Sequence, residues 1–170
     1  MRRPAKSKQQ VLIIGGGASG LAAACVCAQA GADALVLEKE DWCGRKLLAT
    51  GNGRCNLLNA GKPVYFGDKG FAETTLLSCG AAEVSAFFAS LGLAIRVDEA
   101  GRAYPLTMQA SSVLDCLLAG IRRHPGVLVR TGTRVKAILA DGDGFAALLE
   151  DGQRVPASNI ILCSGSPAAP

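Results

Sequence analysis

The chain has 170 residues, enough for one domain with a sizeable core, and 49% of them are apolar. Its 18 lysines and arginines exceed its 14 acidic residues and give a formal charge of +4. Part of the excess lies in residues 1–9, which we interpret as a basic leader rather than a nucleic-acid surface. The apolar run that follows ends at Gly15, too early for a signal-peptide core or a membrane span. We therefore expect a soluble, cytoplasmic protein that binds neither nucleic acid nor membrane.

The seven cysteines lie mostly in apolar, helix-like or strand-like settings, where a reduced thiol behaves as a small hydrophobe. No two of them have C-x-x-C spacing, and the only histidine is His124. Neither a disulfide framework nor a metal site built from cysteine and histidine is therefore predicted. His124 precedes Pro125 at the end of a predicted helix, and we assign it no catalytic role.

The first predicted elements form a βαβ unit. Val11 to Ile14 is an apolar run typical of a buried parallel strand, a helix of small residues follows from Ala18 to Ala30, and Gly31 ends that helix. The next strand ends at Glu38. Asp41 to Gly70 then contains six glycines and is predicted to be a long irregular segment, of the kind that is usually functional or disordered.

The remaining elements are predicted from periodicity and turn residues. Two helices are expected over residues 81–91 and 110–123, with a strand over 93–97 and a hairpin turn over 99–102. The short β-type runs over 127–163 should form a β-meander and then return to the parallel sheet. Together these elements predict an α/β fold, a Rossmann-like domain with a parallel sheet, flanking helices and a β-meander.

Gly15-x-Gly17-x-x-Gly20 follows the first strand and opens the first helix, which is the setting of the dinucleotide-binding fingerprint. Gly15 would permit the tight turn, Gly17 the approach of a pyrophosphate, and Gly20 the close packing of helix and strand. The helix N-terminus would face the phosphate charge. Glu38 would accept hydrogen bonds from the ribose hydroxyls, which favours FAD or NAD over NADP.

Two longer blocks, "GRKLLATGNGRCNLLN" at 44–59 and "GRAYPLTMQASSVLDCL" at 101–117, are not explained by the fingerprint. They resemble the BaiN-like FAD-dependent oxidoreductases, also labelled aminoacetone-oxidase-type flavoproteins, within the glutathione-reductase-like class. The resemblance extends from about Val11 to Gly165. It implies FAD as the cofactor and hydride or electron transfer through the flavin. It leaves NAD(P)H open as the electron donor and does not indicate the oligomeric state.

By this resemblance, Glu38 with Gly44 and Arg45 continues the adenosine side of the site, and Thr50 to Asn56 wraps the flavin end of the cofactor. Arg54 would place positive charge near the flavin, and Asn56 would supply a directional hydrogen bond. Loop bracing through backbone hydrogen bonds is the alternative role for both side chains.

Other residues in these blocks have simpler interpretations. Cys55 is expected to be a buried structural thiol. The 101–105 block is expected to form a hairpin turn followed by the end of a strand, with a structural role and not a catalytic one. Val135 would pass beside the adenine and pair with it through the backbone, or would simply pack in the core. Gly165 suits a strand-to-loop turn, although Cys163 to Ser166 departs from the Ala-Thr-Gly-Gly sequence usual in such flavoproteins.

The predicted site contains cofactor contacts only, and no catalytic residue is assigned. The predicted cofactor-binding residues are Gly15, Gly17, Ala18, Ser19, Gly20, Glu38, Lys39, Gly44, Arg45, Thr50, Gly51, Gly53, Arg54, Asn56, Val135 and Gly165.

Family members continue beyond the point where this chain stops, so residues 10–170 are expected to be the N-terminal portion of an FAD-binding domain. A substrate-facing insertion and a C-terminal return would be absent, and activity of this portion alone is left open. Two alternatives are kept. One is an NAD-binding Rossmann dehydrogenase, disfavoured by the long segment after Glu38. The other is an inactive remnant that acts at most as a binding module.

Overall fold

The computed structural model describes residues 11–61 and 67–165. The predicted leader over residues 1–9 and Ser166 lie outside the described residues. The strands are β1 (Val11–Ile14), β2 (Ala34–Leu37), β3 (Leu58–Asn59), β4 (Ile95–Val97), β5 (Arg102–Pro105), β6 (Val127–Arg130), β7 (Val135–Asp141), β8 (Gly144–Leu149), β9 (Arg154–Ala157) and β10 (Asn159–Leu162). The helices are α1 (Ala18–Gln29), α2 (Arg45–Ala49), α3 (Lys69–Ser78), α4 (Ala81–Leu91) and α5 (Ala110–Arg122).

The chain divides into two compact units. The first contains the residues up to Lys46 and those from Leu117 onward, and the second is Leu47–Cys116. The first unit holds the glycine fingerprint and the meander. The second holds most of the two sequence blocks that carry the family resemblance.

A four-stranded parallel sheet in the order β10-β1-β2-β6 forms the centre of the first unit. Leu12 and Ile13 of β1 have no exposed surface, and all four residues of β2 are buried. Strands covered on both faces are apolar throughout rather than alternating, which explains the continuous apolar runs in the sequence. The predicted Rossmann-like sheet and the return of the last strand to it are confirmed.

The meander begins one strand later than the sequence suggested. β6 pairs parallel with β2 at the edge of the central sheet, and only β7, β8 and β9 form the antiparallel sheet. The prediction that the run at 127–130 opens the meander was wrong. Both β6 and β7 are short apolar runs, and their partners are set by contacts distant in sequence.

The meander packs against the parallel sheet through one hydrophobic core. Val135 and Ile160 pack at the margin of this core. Its buried members come from both sheets: Leu12, Leu35, Leu37, Ala147, Leu149, Val155 and Ala157. This packing buries residues of β1 and β2 against residues of β8 and β9.

The second unit contains the antiparallel sheet β3-β5-β4 and helices α3 and α4. Strands β4 and β5 form the predicted hairpin, with Gly101 at φ +78° in its turn. The Asp41–Gly70 segment was predicted to be irregular, but it contains α2, β3 and the start of α3. Helix α2 and strand β3 were missed because they are too short to produce a periodic pattern, and the ten-residue helix α3 was missed as well.

No single helix among the described residues is long and apolar enough to cross a membrane. Helices α3 and α4 reach that length and composition only together, and they are bent by 43° relative to each other. Within the same residues, no group of three or more His, Cys, Asp and Glu side chains could hold a metal ion.

Candidate functional site

The turn between β1 and α1 separates the roles of the fingerprint glycines. A Cβ on Gly15 would collide with the carbonyl oxygen of Cys163, and a Cβ on Gly20 would collide with the carbonyl oxygen of Gly15. Gly15 also has φ +109°, which favours glycine. These two glycines therefore permit close packing within the protein. In contrast, apart from its two chain neighbours, no atom of the described residues lies within 4 Å of a Cβ built on Gly17, so its bare backbone is open to a ligand.

The N-terminus of α1 has no side-chain cap within the described part of the chain. Gly17 is the N-cap residue and offers no side-chain cap, and the first turn contains no acidic residue. Ala18 and Ser19 in this turn are exposed. Because the first N–H groups of a helix have no intrahelical acceptor and lie at the positive end of its dipole, this terminus is suited to an anion such as a pyrophosphate.

Glu38 follows β2 and is bound to the fingerprint turn. Its side chain is buried, with 8% of the residue surface exposed. Oε2 accepts a hydrogen bond from the N–H of Gly16 at 2.5 Å, and Oε1 accepts one from the N–H of Glu40 at 2.9 Å. A carboxylate has about four acceptor positions. Glu38 can therefore brace the turn and still accept hydrogen bonds from ribose hydroxyls.

Residues 43 and 44 also pack against Gly16. The N–H of Gly44 donates to the carbonyl oxygen of Gly16 at 2.8 Å. A Cβ on Gly16 would lie 2.5 Å from Sγ of Cys43 and 3.1 Å from Oε2 of Glu38. Both Gly16 and Cys43 were missed in the sequence analysis. The run of three glycines at 15–17 could have indicated a close contact at Gly16. Nothing in the sequence distinguishes Cys43 from the other cysteines.

Burial governs the chemistry of the Cys43 thiol. The residue is 7% exposed, and burial, reinforced by the negative charge of Glu38, raises the pKa of Cys43 to about 11. The thiol is therefore protonated at neutral pH. It acts here as a small packing group and not as a nucleophile.

Lys39 and Arg45 lie on the surface and share one acidic partner. Nζ of Lys39 is 3.6 Å from Oε1 of Glu40, and Nη1 of Arg45 is 3.5 Å from Oε2 of the same residue. Their contact with a cofactor stays a prediction.

Val135 and Gly165 lie at or just beyond the ends of two strands of the first unit. Val135 begins β7 and packs against the core, which supports core packing for its side chain. Two residues earlier, the N–H of Thr133 donates to the carbonyl oxygen of Glu38 at 2.7 Å. Gly165 follows β10 with φ +76°, the conformation expected of a strand-to-loop turn.

In the second unit, the segment Thr50–Asn56 forms a tight left-handed loop. Gly51, Asn52, Gly53 and Cys55 all have positive φ, between 56° and 78°. The N–H of Arg54 donates to the carbonyl oxygen of Gly51 at 3.2 Å, which closes a turn around Asn52-Gly53. Asn-Gly is the pair best suited to two left-handed residues in succession.

Several hydrogen bonds fix the middle and the ends of this loop. Oγ1 of Thr50 donates to the carbonyl oxygen of Leu47 at 2.6 Å, and the carbonyl oxygen of Gly53 accepts from the N–H of Ala110 at 2.8 Å. With its amide oriented to donate, Nδ2 of Asn56 reaches the carbonyl oxygens of Leu58 at 3.0 Å and Ala103 at 3.2 Å. These contacts support the loop-bracing alternative for Asn56.

Cys55 and Arg54 differ in burial. Cys55 is buried, which confirms the predicted buried thiol. Burial raises the pKa of Cys55, and a hydrogen bond with Thr50 offsets only part of this effect. Arg54 is exposed; its Nε donates to the carbonyl oxygen of Gly51 at 3.1 Å, and its guanidinium lies 5.4 Å from the centre of the Tyr104 ring. The sequence analysis missed Tyr104 as a partner of the loop.

Known proteins resemble this chain in sequence and in fold. The chain is 44% identical over 162 residues to the 3-dehydro-bile acid delta(4,6)-reductase of Clostridium scindens, covering 92% of this chain and 39% of that protein. Its fold is similar to the 3-ketosteroid-delta4-(5alpha)-dehydrogenase of Rhodococcus jostii, with a TM-score of 0.61, 18% identity, and coverage of 96% of this chain and 47% of that one. It is also similar to a halogenase, PltM, solved in complex with FAD, with a TM-score of 0.50, 17% identity, and coverage of 95% and 35%.

The chain spans about two fifths of the length of the curated reductase that it matches. The model of the HI0933-like protein Rossmann domain matches residues 9–170, nearly the whole chain. The resemblance inferred from the two sequence blocks is thereby confirmed. This chain belongs to the HI0933-like Rossmann domain family.

Proposed function

We propose that this chain is the FAD-binding portion of a flavin-dependent oxidoreductase. Family membership supports the cofactor, and so does the halogenase solved in complex with FAD. The reductase and the dehydrogenase are, by their names, enzymes of oxidation and reduction, which supports the reaction class.

One observation carries the proposal: the open backbone of Gly17 at the N-terminus of a helix that has no side-chain cap. A dinucleotide supplies a pyrophosphate for these N–H groups and a ribose for Glu38. The residues present therefore fit a dinucleotide. When bound, FAD supplies hydride or electron transfer through its flavin ring, and the protein binds and orients it.

The first unit would hold the adenosine and pyrophosphate. Its contributing residues are Gly17, Ala18 and Ser19 at the helix start, with Glu38 at the ribose. The buried carboxylate of Glu38 is fixed by two backbone N–H groups and is already oriented before a ligand arrives. The loop residues Thr50, Gly51, Gly53, Arg54 and Asn56 enter the proposal through the sequence resemblance.

Two further parts of the proposal concern the setting of the reaction. Reduced NAD(P)H is the electron donor, because a reductase needs an external source of electrons and a nicotinamide cofactor is a common one. The protein works in the cytoplasm, which the seven free thiols support, since reduced cysteines are typical of that compartment.

The test is the visible absorption spectrum of the purified chain, before and after incubation with excess FAD and gel filtration. The proposal is supported if FAD, detected by its absorbance, co-elutes with the protein in about equimolar amount. NAD serves as the matched competitor, because it contains the same adenosine diphosphate but no flavin. Displacement of FAD by a small excess of NAD would instead favour the NAD-binding dehydrogenase. A protein that binds neither nucleotide would favour the inactive remnant.

A further inference from the structure

The two sequence blocks that carry the family resemblance meet in the second unit. The Thr50–Asn56 loop comes from the first block, and β5 comes from the second. Leu58 pairs with Ala103 in the β3-β5 ladder, and the N–H of Leu57 donates to the carbonyl oxygen of Ala103 at 2.8 Å. The loop therefore leads directly into a strand that is hydrogen-bonded to the second block.

At this meeting point the exposed Arg54 lies over the buried Tyr104. The guanidinium carbon is 5.4 Å from the ring centre, within the range of a cation–π contact. Tyr104 is 5% exposed and is paired with Arg96 in the middle strand of its sheet. The ring is thus a fixed support, whereas Arg54 belongs to a surface loop.

Two contacts restrict the Arg54 side chain. Nε donates to the carbonyl oxygen of Gly51, and the guanidinium carbon lies within cation–π distance of the Tyr104 ring. Among the described residues, no acceptor is hydrogen-bonded to Nη1 or Nη2 of Arg54. With respect to residues 11–61 and 67–165, four of the five guanidinium N–H groups can therefore donate to a ligand.

From this arrangement we infer that Tyr104 is a positioning residue that holds the Arg54 guanidinium in one orientation, ready to bind the flavin end of FAD. The inference rests on the proposed function, in which Arg54 contacts FAD. An arginine held in one orientation loses less side-chain entropy when it binds a ligand, so its support contributes to affinity. The role would give the 101–105 block a function beyond that of a hairpin turn.

The contact itself is tested first in the cofactor-free chain by NMR of the arginine Nε–H groups. The Arg54 signal should be shifted by the Tyr104 ring current and should move to an ordinary position in Tyr104→Leu. The matched control is Tyr104→Phe, which keeps the ring and should keep the shift. An Arg54 signal that is the same in Tyr104→Leu and the unmodified chain would overturn the inference without any use of FAD.

The functional readouts are FAD affinity and the midpoint potential of the bound flavin. Tyr104→Leu should weaken FAD binding roughly two- to fivefold, the effect of losing one cation–π contact. It should also lower the midpoint potential in the same direction as Arg54→Ala, because a nearby positive charge favours the reduced flavin. Tyr104→Phe should keep both values of the unmodified chain. A purely structural role for Tyr104 would leave the potential unchanged.

The double variant separates the inference from the proposed function. If Tyr104 acts through Arg54, adding Tyr104→Leu to Arg54→Ala should change FAD affinity no further. Additive losses, or an effect of Arg54→Ala with none of Tyr104→Leu, would overturn the inference and leave the proposed function intact. If Tyr104→Leu does not fold, Arg54→Lys, which keeps the charge but removes the Nε donor to Gly51, should weaken FAD binding. An unmodified chain that binds no FAD would overturn both, whatever the NMR shows.

Discussion

The backbone N–H of Gly16 donates a hydrogen bond to Oε2 of Glu38, a residue 22 positions further along the chain. The bond joins the fingerprint turn to the end of the neighbouring strand. Glu38 therefore has a structural role in the cofactor-free protein, in addition to its proposed contact with ribose. The consequences of this bond can be measured without a ligand.

Replacement Glu38→Gln is expected to destabilise the protein by about 1–3 kcal/mol. Glutamine presents only one acceptor oxygen, so the N–H of Gly16 or of Glu40 loses its partner. Denaturant unfolding measures the change. The control is Glu40→Gln, which removes only surface ion pairs and should cost less than about 1 kcal/mol. Equal losses in the two variants would contradict the bracing role of Glu38.

The open N-cap predicts opposite effects on stability and on binding. In Gly17→Asp the new carboxylate has space and can cap α1, so stability should stay the same or rise by a few tenths of a kcal/mol, on the order of 0.5. FAD binding should weaken at least about tenfold, since the carboxylate occupies the phosphate position with like charge. Thermal unfolding and FAD titration measure the two effects.

A matched charge at the other end of the same helix controls for this experiment. Ala30→Asp lies at the exposed C-terminal end of α1, and it should cost about 0.3–1 kcal/mol through the helix dipole. It should leave FAD affinity unchanged. If both variants weakened binding to the same extent, general charge repulsion would be the cause, and the pyrophosphate would not lie at Gly17.

Gly16→Ala should destabilise the protein by about 1–3 kcal/mol through overpacking, because its Cβ would lie 2.5 Å from Sγ of Cys43. Cys43→Ala in the same chain removes that sulfur and should recover part of the loss. Recovery should be incomplete, because Cβ of Glu38 is also only 3.0 Å away. Unfolding of the single and double variants gives the coupling. A coupling near zero would show that the turn adjusts away from Cys43.

The raised pKa of Cys43 predicts a loss of stability at alkaline pH. The thiol ionises near pH 9 when unfolded but at about 11 when folded, so its contribution is complete below pH 9 and is lost as pH rises through 11. The loss should be on the order of 2–3 kcal/mol. It is measured as the difference between the unfolding free energies of the unmodified chain and of Cys43→Ala from pH 8 to 11. A constant difference would contradict the raised pKa.

The sequence alone determined the local elements of the first unit. The apolar run of β1, the small residues of α1 and the stop at Gly31 each depend on neighbours within one turn or strand, so their pattern is visible in the letters. The same holds for the helix over 81–91 and for the β4-β5 hairpin. The fingerprint and its acidic residue were recognised because the turn, the helix and the next strand follow one another directly.

Only the tertiary structure decided which distant residues meet. The pairing of β6 with β2, the packing of Cys43 against Gly16 and the position of Arg54 over Tyr104 each join residues that are far apart in the chain. Such contacts depend on strand order and side-chain packing, which leave no periodic signal in either partner. The sequence therefore identified the glycine turn between β1 and α1, and the fold determined which distant residues pack against it and against the Thr50–Asn56 loop.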